Sequence, residues 1–86
     1  MTEHVHGKRW VAEFRAEIAS DRAALLEARD RRRGTSWSFH DAVALTRRFY
    51  VERITGYAAC GSITEAELAE LLALVEQLGV EQLGTA

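Results

Sequence analysis

The chain has 86 residues, 48 % of them hydrophobic, a formal net charge of −2 and no proline. The hydrophobic fraction is too high for an obligately disordered chain, and the length suffices for a single domain over residues 1–86. An average chain of this length contains about four prolines, and their absence favours long helices, in which backbone amides must stay free to donate.

The first predicted helix spans residues 3–33. Apolar residues at the spacing of one helical face indicate its buried side. Asp21 interrupts this stripe at a position where a core residue is expected. Gly34 follows a run of arginines and predicts the helix end, because glycine readily adopts the left-handed conformation of a carboxy-terminal cap. The stripe consists of Val11, Phe14, Ile18, Leu25 and Ala28.

The second predicted helix spans residues 38–60. Ser38, followed three residues later by Asp41, is typical of a helix start in which the serine side chain accepts a backbone hydrogen bond. An apolar stripe follows and includes Phe49, Tyr50 and Ile54.

The third predicted helix spans residues 64–79. Thr64 and Glu67 have the spacing of a capping box, in which each side chain accepts from the other residue's backbone amide. Residues 80–86 are predicted to form a frayed tail, and Val80 and Leu83 could dock back from it.

These elements predict an all-α fold with a long first helix and a hairpin of two shorter helices. A helix of about 30 residues extends roughly 45 Å, farther than helices of about 23 and 16 residues can cover. We therefore expect the surplus apolar face of helix 1 to contact a second copy or another protein. In the alternative, a kink at Ser20–Asp21 closes a four-helix monomer. The predicted interface residues are Trp10, Val11, Phe14, Ile18, Leu25 and Leu26.

The lone cysteine, Cys60, predicts a reducing, cytoplasmic location, because one thiol cannot form an intramolecular disulfide. We expect its side chain to be buried as a small apolar group. No apolar stretch approaches the length of a membrane span, so no membrane association is expected.

Charge is distributed unevenly along the chain. All eleven Lys and Arg residues lie within residues 1–53, whose net charge is +3, whereas residues 54–86 carry five glutamates and no base. One interpretation is a dipolar surface that meets a partner of complementary charge. The alternative is that the acidic third helix packs against basic flanks of the other two.

Several arginines are candidates for binding a small anion. Nucleic acid is disfavoured, because the net charge is negative and the start of the third helix carries glutamates that would face phosphates. The candidate anion-binding residues are Arg15, Arg32, Arg47 and Arg48.

No cofactor or metal is predicted. His4, His6, Glu13, Glu17 and Asp21 are the one set of metal-ligand types close together in the sequence. They lack the paired spacings that fix a coordination geometry, and an acidic edge paired with arginines explains the carboxylates.

Two segments resemble parts of known enzyme families. Residues 14–18, with Leu25, Leu26 and Arg32, are similar to the first helix of the all-helical chorismate mutases, which implies that Arg15 and Arg32 bind substrate carboxylates. That family's acidic residue after the isoleucine is Ala19 here, and no lysine follows Lys8. Residues 49–52 and 61–68 are similar to the helical amino-terminal part of nitrile hydratase beta subunits.

The leading functional hypothesis is a small cytoplasmic interaction protein without catalysis of its own, either an accessory subunit or a self-associating module. The alternative is an enzyme, or an enzyme subunit, that binds a small anionic ligand through its arginines.

Overall fold

A computed structural model describes the backbone of residues 2–80 and the side chains of residues 9–80. Within these residues the chain forms three α-helices: α1 (Thr2–Arg31), α2 (Phe39–Ala59) and α3 (Glu65–Glu76). A 3-10 turn over Gln77–Gly79 follows α3 directly. The predicted all-helical fold, with a long first helix and two shorter ones, is confirmed.

The ends of α1 and α2 lie close to the predicted residues. α1 ends at Arg31, two residues before the predicted end, and Gly34 adopts a φ of +85° in the turn that follows. The Ser38 side chain accepts a hydrogen bond of 3.1 Å from the Asp41 amide, which satisfies one of the unpaired donors at the start of α2.

α3 begins with the predicted capping box. The Glu67 amide donates to the Thr64 hydroxyl over 3.1 Å, and the Thr64 amide donates to the Glu67 carboxylate over 2.8 Å. The α-helix ends at Glu76, earlier than the predicted residue 79, because the chain tightens there into the 3-10 turn.

The core lies where the three helices meet. α1 contributes residues spaced by three and four positions, so they share one face of the helix. α2, α3, the loop before α3 and the 3-10 turn surround that face. The buried residues are Val11, Phe14, Ile18, Val43, Tyr50, Ile54, Ile63, Leu71, Val75 and Leu78.

α1 is a single helix through Ser20 and Asp21, so the alternative with a kink at these residues is wrong. Asp21 stays on the inner side of α1 because its carboxylate accepts a hydrogen bond of 2.5 Å from the Tyr50 hydroxyl of α2. The polar interruption in the apolar stripe is therefore a contact between two helices.

The acidic third helix packs against basic side chains of the other two helices. Arg15 Nε of α1 donates to the Glu70 carboxylate over 2.7 Å, and Arg47 of α2 donates to the Glu76 carbonyl over 2.6 Å. Arg22 of α1 donates to the Gln77 carbonyl over 3.2 Å and also to the Val80 carbonyl. Packing within one chain thus accounts for part of the uneven charge.

Val80 is exposed at the end of the described chain, although its carbonyl is held by Arg22. The rest of the predicted tail, including Leu83, lies outside the described residues. Across residues 2–80, no helix is both long enough and apolar enough to span a bilayer.

Candidate functional site

A groove runs between the second half of α1 and the first half of α2. Its volume is about 540 Å³. The residues from α2 are Leu45, Thr46 and Phe49. The residues from α1 are Asp21, Ala24, Leu25, Ala28 and Arg31.

The groove lies on the side of α2 that faces away from α3. Arg47, which reaches the Glu76 carbonyl of α3, is two residues beyond Leu45 and therefore about 200° further around the helix. The α3 packing surface and the groove are thus on nearly opposite sides of α2.

Two large apolar side chains border the groove and are open to solvent. Leu45 is 68 % exposed and Phe49 is 53 % exposed. They are four residues apart and so lie one above the other on α2. Across the groove, the α1 wall includes the small side chains of Ala24 and Ala28, which leave space between the two helices.

The groove continues toward the start of α1. Beyond Asp21 and Phe49 it meets a second depression of about 470 Å³, whose lining includes Ala16, Glu17 and Ser20. Together the two depressions follow α1 from residue 16 to residue 31, a length of about 22 Å at 1.5 Å per residue.

The Arg53 side chain contacts the ring of Phe49. Its guanidinium lies 5.1 Å from the ring centre of Phe14 and 5.3 Å from that of Phe49, which is the distance of a cation–π contact. Arg53 also donates to the Glu17 carboxylate over 3.0 Å. Burial is the largest single effect on the pKa of Arg53 and lowers it, but the hydrogen bond to Glu17, the charge of Glu17 and the interactions with Tyr57 together outweigh burial and raise the pKa, so the guanidinium keeps its charge.

Asp21 and Tyr50 lie where the groove meets the second depression. The Tyr50 ring is buried and its hydroxyl donates to Asp21. Burial raises the pKa of Tyr50 well above its usual range, and the hydrogen bond to the Asp21 carboxylate and that carboxylate's charge raise it further. The phenol is therefore a fixed hydrogen-bond donor at neutral pH.

The predicted interface residues fall into two groups. Val11, Phe14 and Ile18 are buried in the chain's own core, so a partner cannot contact them while this fold is intact. The predicted set of interface residues is therefore corrected by removing these three. Their face of α1 is covered because α2, α3 and the 3-10 turn pack on it. The half-buried residues are Trp10, Leu25 and Leu26, of which Leu25 lines the groove.

The exposed pair Leu45 and Phe49 was not identified from the sequence. Phe49 is on the apolar stripe predicted for α2, and Leu45 lies outside that stripe. A leucine four residues before a phenylalanine, off the main stripe, is the signal that indicates a second apolar edge.

The four candidate anion-binding arginines point to different parts of the molecule. Arg15 pairs with Glu70, and Arg48 Nε lies 3.4 Å from Glu52. Arg47 binds a backbone carbonyl of α3, and the Arg32 guanidinium lies 5.7 Å from the Trp37 ring centre. The structure therefore does not bring the four arginines together. Arg15 and Arg32, for example, are about 25 Å apart along the axis of α1.

The carboxylates proposed as metal-ligand types each have another partner. Glu13 pairs with Arg9 at 3.3 Å, Glu17 with Arg53, and Asp21 accepts from Tyr50. The side chains of His4 and His6 lie outside the described residues. Among the side chains that the structure describes, no group of three His, Cys, Asp or Glu residues is placed to hold a metal ion.

Cys60 is exposed, so the prediction of a buried thiol is wrong. It is the carboxy-terminal cap of α2, and the chain turns at Gly61, whose φ is +79°. This turn leaves the cysteine side chain in solvent.

Comparison of the chain with known protein families, with characterised proteins and with solved structures gives no match. The candidate site is therefore defined by its own geometry. It is an apolar groove about 22 Å long on one face of the α1–α2 pair, with Glu17 near one end and Arg31 at the other.

Proposed function

We propose that this chain is a small helical interaction module that binds another protein chain through the α1–α2 groove and performs no catalysis of its own. The observation that carries the proposal is the exposure of Leu45 and Phe49 beside a groove whose opposite wall includes Ala24 and Ala28. A chain of this size gains little by leaving two large apolar side chains in water, since fully burying each contributes about 1.5–3 kcal/mol.

The groove is suited to binding because it is already formed. Arg53 and Glu17 hold Phe49 from one side, and the Tyr50–Asp21 hydrogen bond fixes the distance between α1 and α2. Side chains that are held in place lose less conformational entropy when a partner binds. The length of the groove matches about four turns of helix.

We place this module in the cytoplasm, where the exposed thiol of Cys60 would stay reduced.

The test compares Leu45→Asp with Ala44→Asp. Both variants add one carboxylate to an exposed position of α2, but Ala44 is outside the groove lining. Each variant and the wild-type chain would be tagged, expressed in the source cell and recovered with its bound proteins, which are quantified by mass spectrometry.

We expect wild-type and Ala44→Asp chains to retain the same protein in the same amount, whether another chain or a second copy, and Leu45→Asp to lose it. At concentrations where both chains are monomeric, thermal unfolding of Leu45→Asp should match that of Ala44→Asp, because Leu45 is largely exposed. Equal retention by all three chains, or retention by none, would overturn the proposed function.

A further inference from the structure

We propose that the occupant of the α1–α2 groove is the same groove of a second copy, so that the chain forms an antiparallel two-fold dimer centred on Ala24. This inference rests on the proposed function and names the partner of that same site. Four observations support it: the shape of the groove, the positions of its exposed apolar side chains, its charges and the surface area of the single chain.

The shape of α1 in the groove allows close approach of an identical helix. Ala16, Ser20, Ala24 and Ala28 follow one another at four-residue intervals and so form a single row along the helix. Rows of this spacing interdigitate when two helices pack, and small side chains let the helix axes come nearer. A two-fold axis at Ala24 pairs Ser20 of each copy with Ala28 of the other.

The apolar pair on α2 is symmetric about the same axis. Asp21 of α1 contacts Tyr50 of α2, and Glu17 contacts Arg53, so the two helices run antiparallel. Counting forward along α1 and backward along α2 from these contacts places Ala24 level with residue 46 or 47. Leu45 and Phe49 lie on either side of that level. The axis therefore brings Leu45 of each copy to Phe49 of the other and covers both exposed side chains.

Opposite charges stand at equal distances from the centre. Glu17 is seven residues before Ala24, and Arg31 is seven residues after it. In the antiparallel dimer Arg31 of each copy meets Glu17 of the other, which gives two equivalent ion pairs. Arg31 is exposed and its ion pair with Glu27 of the same helix is long, at 3.8 Å, so it can also reach a carboxylate of the second copy, and the Glu17 carboxylate can accept from Arg31 as well as from Arg53.

The single chain exposes more surface than a compact monomer of its mass. Its accessible area is 5933 Å², whereas a compact protein of 9.6 kDa exposes about 5,100 Å². The radius of gyration, 14.5 Å, likewise exceeds the value of about 12 Å for a compact domain of this length.

The first arm of the test measures the mass of the purified chain by sedimentation equilibrium from about 1 μM to about 1 mM. We expect the mass to approach twice 9.6 kDa for the wild type and for Ala44→Asp, and to stay at 9.6 kDa for Leu45→Asp. A wild type that is monomeric throughout, or a dimer that Leu45→Asp leaves intact, would overturn the second-copy inference.

The second arm exchanges the charges. Arg31→Glu alone and Glu17→Arg alone should each raise the dimer dissociation constant about tenfold or more, because both ion pairs become repulsive. Mixing the two variants restores both pairs between the copies and should give a heterodimer that is tighter than the dimer of either variant alone. Failure of the mixture to associate more tightly than either variant would overturn the antiparallel arrangement.

The two proposals fail in different ways. A purified wild type that is monomeric, while the tagged chain in cells retains another protein that Leu45→Asp releases, refutes the second-copy inference and supports the proposed function. Groove-independent retention in cells refutes the proposed function itself.

Discussion

The Tyr50 hydroxyl and the Asp21 carboxylate join the two longest helices at the middle of the candidate site. The sequence places a polar residue on the apolar stripe of α1, and that feature is visible without a structure. Its partner is not, because Tyr50 is 29 residues away and reaches Asp21 only when α1 and α2 are paired in one particular register.

Tyr50→Phe tests this contact through the pH dependence of stability. The raised pKa of Tyr50 means that the folded chain keeps the phenol proton at pH values where the unfolded chain releases it. The free energy of unfolding is therefore unaffected by this group below about pH 10 and falls above it, by up to about 1.4 kcal/mol per pH unit. Urea unfolding from about pH 8 to about pH 12 measures the effect.

We expect Tyr50→Phe to be about 1–2 kcal/mol less stable than the wild type at neutral pH and to lose less stability at alkaline pH. Tyr57→Phe is the matched control and should keep the alkaline loss of the wild type. An alkaline loss of equal size in all three chains would show that Tyr50 is not its source.

At the scale of the helices, the elements follow from local chemistry. The predicted starts at Ser38 and Thr64 are confirmed, since a capping contact joins residues only three positions apart. The end of α3 is predicted less well, because the chain tightens into the 3-10 turn only where it packs under α1 and α2. Local signals determine where these helices begin, and tertiary contacts adjust where they end.

Thr64→Ala removes the capping box of α3. We expect it to lower the free energy of unfolding by about 1 kcal/mol, because the Glu67 amide loses its acceptor. In a domain of this size such a loss lowers the Tm by about 4–8 °C.

Thr55→Ala is the control for this change, since Thr55 is exposed within α2 and its hydroxyl binds a carbonyl that the helix already satisfies. It should leave the Tm unchanged or raise it slightly. Equal losses in both variants would contradict the role assigned to the cap.

At the scale of the whole molecule, the sequence predicts that α1 is too long to be covered but not which face stays open. Val11, Phe14 and Ile18 are predicted as partner contacts, and they are buried in the chain's own core instead. The open face is set by the side of the α1–α2 pair on which α3 packs, and this depends on contacts such as Arg15–Glu70 between distant residues. The groove at Leu45 and Phe49 is visible only once that side is known.

We propose that the α1–α2 groove is a contact surface and that its occupant is a second copy. A disulfide between the two copies tests it most directly. In a Cys60→Ser background, Ala24→Cys places one thiol at the proposed two-fold axis, where the two Cα atoms come within the roughly 4–7 Å that a disulfide spans. Ala23→Cys, one residue away and about 100° around the helix, is the control.

Mild oxidation followed by non-reducing electrophoresis measures the fraction of cross-linked dimer. We predict that Ala24→Cys cross-links nearly completely, that Ala23→Cys does not, and that adding Leu45→Asp abolishes the cross-link at position 24. Equal cross-linking at both positions, or none at Ala24→Cys, would contradict a two-fold dimer centred on Ala24.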